Sequence, residues 1–209
     1  IGADPIVSKD FNWNTNITLS HNEGTIEELY SDKSYMVISG NYENKYFRNV
    51  KGKKLATMWG YVSDGVWKSW ELADAPAGTE ARSYKFKDID GVEGITEDDQ
   101  TAIGNGQPSF QWGWNNTLTY KNFDLGIFIM GVHGFDIYNY TREARFATNR
   151  LINLGPNPEW ANRWTPENEN TDIVGFVKGI NALTPSSQFV EKGDFVKVKS
   201  ITLGYSLSN

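Results

Sequence analysis

The chain has 209 residues, with 20 Lys+Arg against 26 Asp+Glu and a formal net charge of −6. The absence of Cys excludes a disulfide framework, a thiolate zinc site and a cysteine nucleophile, and the acidic balance weighs against a nucleic-acid partner, which needs clustered Lys and Arg. No apolar run approaches the ~18 residues of a membrane-spanning helix, but membrane barrels cross with strands of about 9–11 residues and escape that test.

Aromatic residues make up 14% of the chain, with 8 Trp, 10 Tyr and 11 Phe, and Pro is scarce at 7. That composition favours β structure. The chain opens at Ile1 without an initiator Met, a basic n-region or an apolar h-region, which reads as a processed or truncated start.

Period-two alternation then marks the strands. Residues 11–21 place Phe11, Trp13, Ile17 and Leu19 on one face and Asn12, Asn14, Asn16, Thr18 and Ser20 on the other. The second face is too rich in Asn for a dry core and suits a wet lumen or bulk solvent. His21 to Gly24 reads as a tight turn. A weaker strand is expected at 27–39, most apolar at Tyr35, Met36, Val37 and Ile38. The stretch 41–108 reads as a long connection, with a strand candidate at Lys54–Tyr61 and an acidic run at 88–99.

The best hairpin covers 109–120 and 123–133. Trp112, Trp114, Leu118 and Tyr120 lie on one face of the first strand, and Phe123, Leu125, Ile127 and Ile129 on one face of the returning strand, whose other face holds Asp124 and Gly126 and then turns apolar at Phe128 and Met130. Lys121-Asn122 makes a two-residue turn of a primed type, since Asn tolerates positive φ. A second long connection, 134–193, holds a helix candidate at Thr141–Leu151 and a Trp/Pro/Asn-rich stretch at 156–172. The last strand, 194–207, alternates Ile201, Leu203, Tyr205 and Leu207 with Ser200, Thr202, Gly204 and Ser206. A strand this regular at the end of the chain would leave an unpaired edge, which reads as a cut inside a larger sheet.

Short and long connections alternate, as they do when all short turns lie at one end of a membrane barrel. Aromatics at the strand ends fit the girdles of such barrels.

Several blocks carry a family resemblance. They are Asp10–Trp13 followed by Asn22; Trp59-Gly60-Tyr61 with Asp64-Gly65-Val66; and Ile103 to Phe110 followed by Trp112-Gly113, Asn115-Asn116 and Thr119 to Leu125. Arg163 to Asn168 (Arg-Trp-Thr-Pro-Glu-Asn) and Phe189 to Tyr205 complete the set. In this order the blocks resemble the SusC/RagA family of TonB-linked outer-membrane proteins across almost the whole chain. The resemblance implies an all-β fold, a partial antiparallel transmembrane barrel of about five strands from a larger, 22-stranded one. It further implies that 41–108 and 134–193 are extracellular loops and that the plug domain is absent. The implied function is import of glycans or oligopeptides across a Bacteroidetes-type outer membrane. The implied partners are a SusD-like surface lipoprotein, TonB through the absent N-terminal part, and outer-membrane lipid. No enzyme activity is implied.

The residues leave other readings open. The run from Asp88 to Asp99 resembles a calcium loop, with Asp88, Asp90 and Asp99 at positions 1, 3 and 12 and Ile95 at position 8. Val92 and Glu93 stand where a ligand and the turn glycine belong. The plainer reading is an acidic turn in solvent, with no cofactor. Trp59, Tyr61, Trp67, Trp70, Trp160 and Trp164 lie in the long connections and are candidates for substrate or lid contacts. Alternatively they hold those connections together. His21 and His133 have no partner motif, and no hydrolase, metalloprotease or phosphate-loop signature is present. Three sequons, at Asn16, Asn115 and Asn139, carry no meaning in a bacterial protein. The rival architectures are a soluble β-sandwich that binds carbohydrate through loop aromatics and a calcium-stabilised adhesin module.

Overall fold

The computed structural model describes residues 1–30, 35–37, 47–146, 158–175 and 184–207. In chain order the first strands are β1 (Gly2–Val7), β2 (Phe11–Ser20), β3 (Tyr35–Val37), β4 (Arg48–Val50), β5 (Thr57–Gly60), β6 (Ser63–Val66) and β7 (Tyr84–Phe86). They are followed by β8 (Thr101–Asn105), β9 (Phe110–Tyr120), β10 (Phe123–His133), β11 (Asp136–Tyr138), helix α1 (Tyr140–Phe146), β12 (Val190–Lys192) and β13 (Phe195–Tyr205). The chain divides into two units. The first is Ile1–Gly24, Gln107–Asp136 and Lys192–Asn209, and the second is Thr25–Gly106 and Ile137–Glu191. Among the described residues no helix is long and apolar enough to cross a membrane, which says nothing of a barrel.

The first unit is a five-stranded antiparallel sheet in the order β1-β2-β9-β10-β13. Its register sets Phe11 opposite Tyr120, Tyr120 opposite Phe123, and Phe123 opposite Tyr205. The tight turns at 8–10 and 121–122 therefore lie at one end. At the other end Ser20 faces Gln111 and Phe110 faces His133, and from there the two long excursions depart.

Two expectations change here. The strand expected at 27–39 does not join this sheet. Tyr35–Val37 pairs instead with Arg48–Val50 in a separate two-stranded sheet, and 31–34 and 38–39 lie outside the described residues. The reason is a full ladder: β2 already has β1 on one side and β9 on the other, so it offers no free edge. The tight turn expected at 21–24 accordingly begins the long excursion. The strand missing from the sequence reading is β1, whose Asp4 and Pro5 read as strand breakers. Pro is tolerated there because the β1–β2 register slips between Ala3 and Ile6, an irregularity that leaves Pro5 out of the paired positions. Ser8 closes the β1–β2 turn, its Oγ accepting the Phe11 N–H (3.0 Å) and donating to the Phe11 carbonyl (2.7 Å). In the β9–β10 turn the positive φ falls on Lys121 (51°), not on Asn122 as expected.

Paired residues share a face of the sheet. One face carries Phe11, Trp13, Ile17, Leu118, Trp114, Leu125, Ile127, Ile129, Val198, Ile201 and Leu203. The other carries Asn12, Asn14, Asn16, Thr18, Thr119, Thr117, Asn115, Asp124, Thr202 and Ser200. The apolar face is bare, with Ile201 68% and Leu203 72% exposed. Among the described residues Val132 is the only buried hydrophobic of these five strands, and the register puts it on the polar face. A soluble sandwich would bury the apolar face under a second sheet, so the observed sheet suits lipid instead.

Two polar side chains interrupt the apolar face, Thr15 and Asn116, directly opposite each other. Each is satisfied by an indole. Trp13 Nε1 donates to Asn116 Oδ1 (3.1 Å) and Trp114 Nε1 donates to Thr15 Oγ1 (2.8 Å). Aromatics gather at both ends of this face. Phe11, Trp13, Tyr120, Phe123 and Tyr205 lie near the tight turns, with Phe123 and Tyr205 ring centroids 4.7 Å apart. Trp112 and Trp114 lie toward the other end, where Trp112 crosses Gly131, a position with no room for a Cβ, to donate to His133 Nε2 (3.0 Å). The nine residues from Trp112 to Tyr120 span about 27 Å of strand, about 20 Å of height once tilted, most of the ~25 Å apolar band of a barrel wall.

The second unit is not a pair of loose loops. Short antiparallel pairs, β5 with β8 and β6 with β7, frame a core of Met58, Val66, Tyr138, Phe146, Trp160, Trp164, Val174 and Phe189. The expected strand at 54–61 is β5, and the expected helix is α1, which begins at Tyr140, one residue before the expected start, residues 147–151 of that expectation lying outside the described residues. Arg142 staples this core. Its guanidinium grips Glu159 through Nε and Nη2 and donates to the Gln188 carbonyl (2.7 Å).

Two measurements check the face assignment. Unfolding in lipid vesicles will show Ile127→Arg destabilised by about 2–4 kcal/mol, with Thr117→Arg changed far less; equal losses would reverse or abolish the assignment. Trp13→Phe will cost about 1–3 kcal/mol by orphaning Asn116, and adding Asn116→Leu will recover part of that loss. A double variant worse than the single one would show that the pair is not coupled.

Candidate functional site

The second unit holds a cavity of 520 Å³ lined by Tyr61, Trp67, Pro76, Gly78, Thr79, Glu80, Ser83, Tyr84, Phe86, Ile95 and Thr184. The β6–β7 pair supplies its frame, since Tyr84 and Phe86 alternate along β7 and project from one face. Tyr61 stacks on Phe86 at 5.0 Å and Phe86 on Tyr84 at 5.9 Å. Segment 184–187 runs beside Tyr61: the Tyr61 N–H donates to the Pro185 carbonyl and the Ser187 N–H to the Tyr61 carbonyl, both at 2.9 Å. Gly60 permits this approach, because a Cβ there would strike the Pro185 carbonyl.

Trp67 is held from several sides. Its N–H donates to the Ser83 carbonyl (3.0 Å), and its carbonyl accepts from the Arg82 N–H (2.8 Å). Lys85 Nζ lies 4.7 Å from its ring centroid, a cation–π contact. Lys85 is itself tied to Glu71 (2.8 Å) and Asp64 (3.5 Å). The Lys85 hydrogen bond, followed by the Lys68 N–H, holds the Glu71 carboxyl below its usual range, and the Glu71 bond in turn raises Lys85. Burial, with Glu143 nearby, pushes the Tyr84 phenol up, so it stays protonated as a hydrogen-bonding group.

A smaller chamber of 270 Å³ shares Trp67, Pro76 and Ile95 with the first and adds Asp74, Ala75, Asp88, Glu93 and Gly94. A third hollow, 330 Å³, lies on the polar face of the five-stranded sheet among Asn16, Thr18, Asn115, Phe128, Met130 and Lys199.

The six aromatics singled out from the sequence separate. Tyr61 and Trp67 line the cavity. Trp59 is half-buried, with the Arg48 guanidinium 5.7 Å from its ring centroid. Trp70 is 67% exposed on a short 3-10 turn. Trp160 and Trp164 belong to the core, so a ligand cannot reach them: their apolar area closes the unit instead. Sequence reading missed Tyr84, Phe86, Thr79, Ser83 and Glu80. The alternation Tyr84-Lys85-Phe86 was the available signal, hidden inside a region taken as irregular.

The carboxylates of Asp88, Asp90 and Asp99 come within 4.8 Å of one another. Asp99 is fully buried and both its oxygens are engaged. Oδ2 accepts the Thr96 N–H (2.7 Å), and Oδ1 accepts those of Ile89 (2.7 Å) and Asp90 (3.3 Å). These donors, Thr96 first, hold its carboxyl below the usual range. Asp88 and Asp90 accept the Gly91 and Val92 N–H groups. Backbone donors thus hold the three carboxylates in place, and Val92, at the fifth position of the loop, offers no side-chain oxygen. Accordingly a chelator will leave the protease resistance of the 88–99 turn unchanged, whereas Asp99→Asn, which trades an acceptor oxygen for a donor, will open it to cleavage. Cleavage induced by the chelator would restore the calcium reading.

No family model matches the chain. TonB-dependent receptor P3 of Formosa agariphila is 28% identical over 219 residues, covering 99% of this chain and 21% of that receptor. TonB-dependent receptor SusC of Bacteroides thetaiotaomicron is 26% identical over 215 residues, 100% of this chain and 20% of that receptor. Among solved structures, that of the RagAB peptide transporter superposes with a TM-score of 0.74 at 17% identity, over 98% of this chain and 22% of that one. The chain thus spans about a fifth of the length of the relatives it matches, and these are receptors and a transporter rather than enzymes. With TonB-dependent receptors matching it from end to end and a two-faced sheet of the RagAB barrel type, the chain fits a fragment of the SusC/RagA family.

Proposed function

We propose that the protein containing this chain is an outer-membrane importer, driven through TonB, that moves glycans or oligopeptides with the help of a SusD-like surface lipoprotein. The five-stranded sheet forms part of its barrel wall. The observation that carries this reading is the bare apolar face backed by an Asn/Thr/Ser face, with both tight turns at one end. Lipid on one side and a hydrated lumen on the other satisfy both faces at once. The similarity to SusC and to the RagAB transporter supports the partners and the cargo classes. The second unit, folded around its own core between barrel strands, then belongs to the outer side, where connections are long.

Cells carrying the whole protein will take up a labelled oligosaccharide or oligopeptide, and an uncoupler that collapses the inner-membrane potential will stop uptake while surface binding persists. Uptake indifferent to the uncoupler, or recovery of the protein in the soluble fraction without detergent, would overturn the proposal.

A further inference from the structure

We infer that the cavity walled by Tyr61, Trp67, Tyr84 and Phe86 is a saccharide subsite that accepts neutral or amine-bearing sugar rings and rejects polyanionic glycans. The inference rests on the importer reading and narrows its cargo.

Three observations carry it. The first is the lining. Four aromatic side chains share the 520 Å³ space with the hydroxyls of Thr79, Ser83 and Thr184 and the carboxylate of Glu80. Aromatic faces pair with the C–H faces of sugar rings, and a few fixed polar groups set orientation.

The second is preorganisation. Tyr61, Phe86 and Tyr84 form a continuous stack, and Trp67 is pinned by two backbone hydrogen bonds and a cation–π contact. Walls already ordered lose little freedom when a ligand arrives.

The third is charge. The adjoining chamber adds Asp74, Asp88 and Glu93, and no Lys or Arg lines either space among the described residues. The cations beside the aromatic wall are committed: Lys85 to Glu71 and Asp64, and Arg82 to Glu80. A carboxylated or sulfated sugar would meet the like charge of Asp74, Asp88 and Glu93 there, none of which has an ion-pair partner among the described residues, while a sugar amine would meet opposite charge.

The test is equilibrium binding to the detergent-solubilised whole protein. The probes are hexamers of N-acetylglucosamine (neutral), glucosamine (cationic) and galacturonate (anionic), with hexalysine as a non-sugar cation. The two glucosamine-based probes will bind at least about tenfold more tightly than galacturonate. Trp67→Ala will weaken the neutral probe about tenfold, and Trp67→Phe will recover most of that loss. Thr79→Arg, which fills the cavity and removes no aromatic wall, will weaken it as well. Asp74→Asn, Asp88→Asn and Glu93→Gln together will narrow the gap to galacturonate.

Galacturonate bound as tightly as the neutral probe would overturn the inference. So would binding indifferent to both Trp67→Ala and Thr79→Arg, no binding of either glucosamine-based probe, or Trp67-dependent capture of hexalysine alone. Uncoupler-sensitive uptake reads the importer proposal separately: such uptake with Trp67-independent binding sinks only the subsite, and Trp67-dependent binding without it sinks only the importer.

Discussion

A β-sheet leaves its backbone satisfied only where each strand has a neighbour, and leaves a face uncovered only where the medium is as apolar as that face. Between its strands the five-stranded sheet meets the first condition through antiparallel ladders from β1 to β13, while the outer sides of β1 and β13 have no strand partner among the described residues. On the importer reading, lipid supplies the second. Among the described residues no second layer covers the sheet's apolar side, and the two polar side chains in the middle of that side, Asn116 and Thr15, each accept a tryptophan N–H. In water such capping would be optional. In hydrocarbon an orphaned amide or hydroxyl is costly, and the crossed Trp13–Asn116 and Trp114–Thr15 bonds remove that cost.

The same constraint explains the division of the chain. Side chains that would ordinarily build a core beneath the sheet are released to face outward, so the core must be built elsewhere. It is built in the second unit, where Trp160, Trp164, Phe146 and Phe189 come together and Arg142 ties the helix to two 3-10 turns. The unit is therefore a folded body rather than a flexible connection. That rigidity allows an aromatic cavity to exist within it: Trp67 and Tyr61 hold fixed positions because β6, β7 and segment 184–187 hold their backbones.

Charge works at two levels. The acidic excess of the chain is general, but the pairing of Lys85 with Glu71 and Asp64 and of Arg82 with Glu80 is local. It spends the nearby cations on structure and leaves carboxylates to set the field of the smaller chamber. The Asp88–Asp99 turn shows a related economy. A motif that resembles a cation loop closes on backbone N–H groups, with the buried Asp99 at its centre.

By itself, the sequence determined the strands expected at 11–21, 109–120, 123–133 and 194–207, which follow from period two because neighbouring residues of a strand meet different media. The family resemblance was equally legible, since its blocks are local and ordered. Three things were decided only by the tertiary structure. β1 is a strand despite Pro5, because its ladder with β2 slips between Ala3 and Ile6 and does not use that residue. Within the stretch 27–39, Tyr35–Val37 pairs with Arg48–Val50 outside the sheet, because both edges of β2 are already occupied. The loop aromatics part into core, surface and cavity, because burial depends on what the chain brings alongside each ring, and spacing along a sequence does not record that.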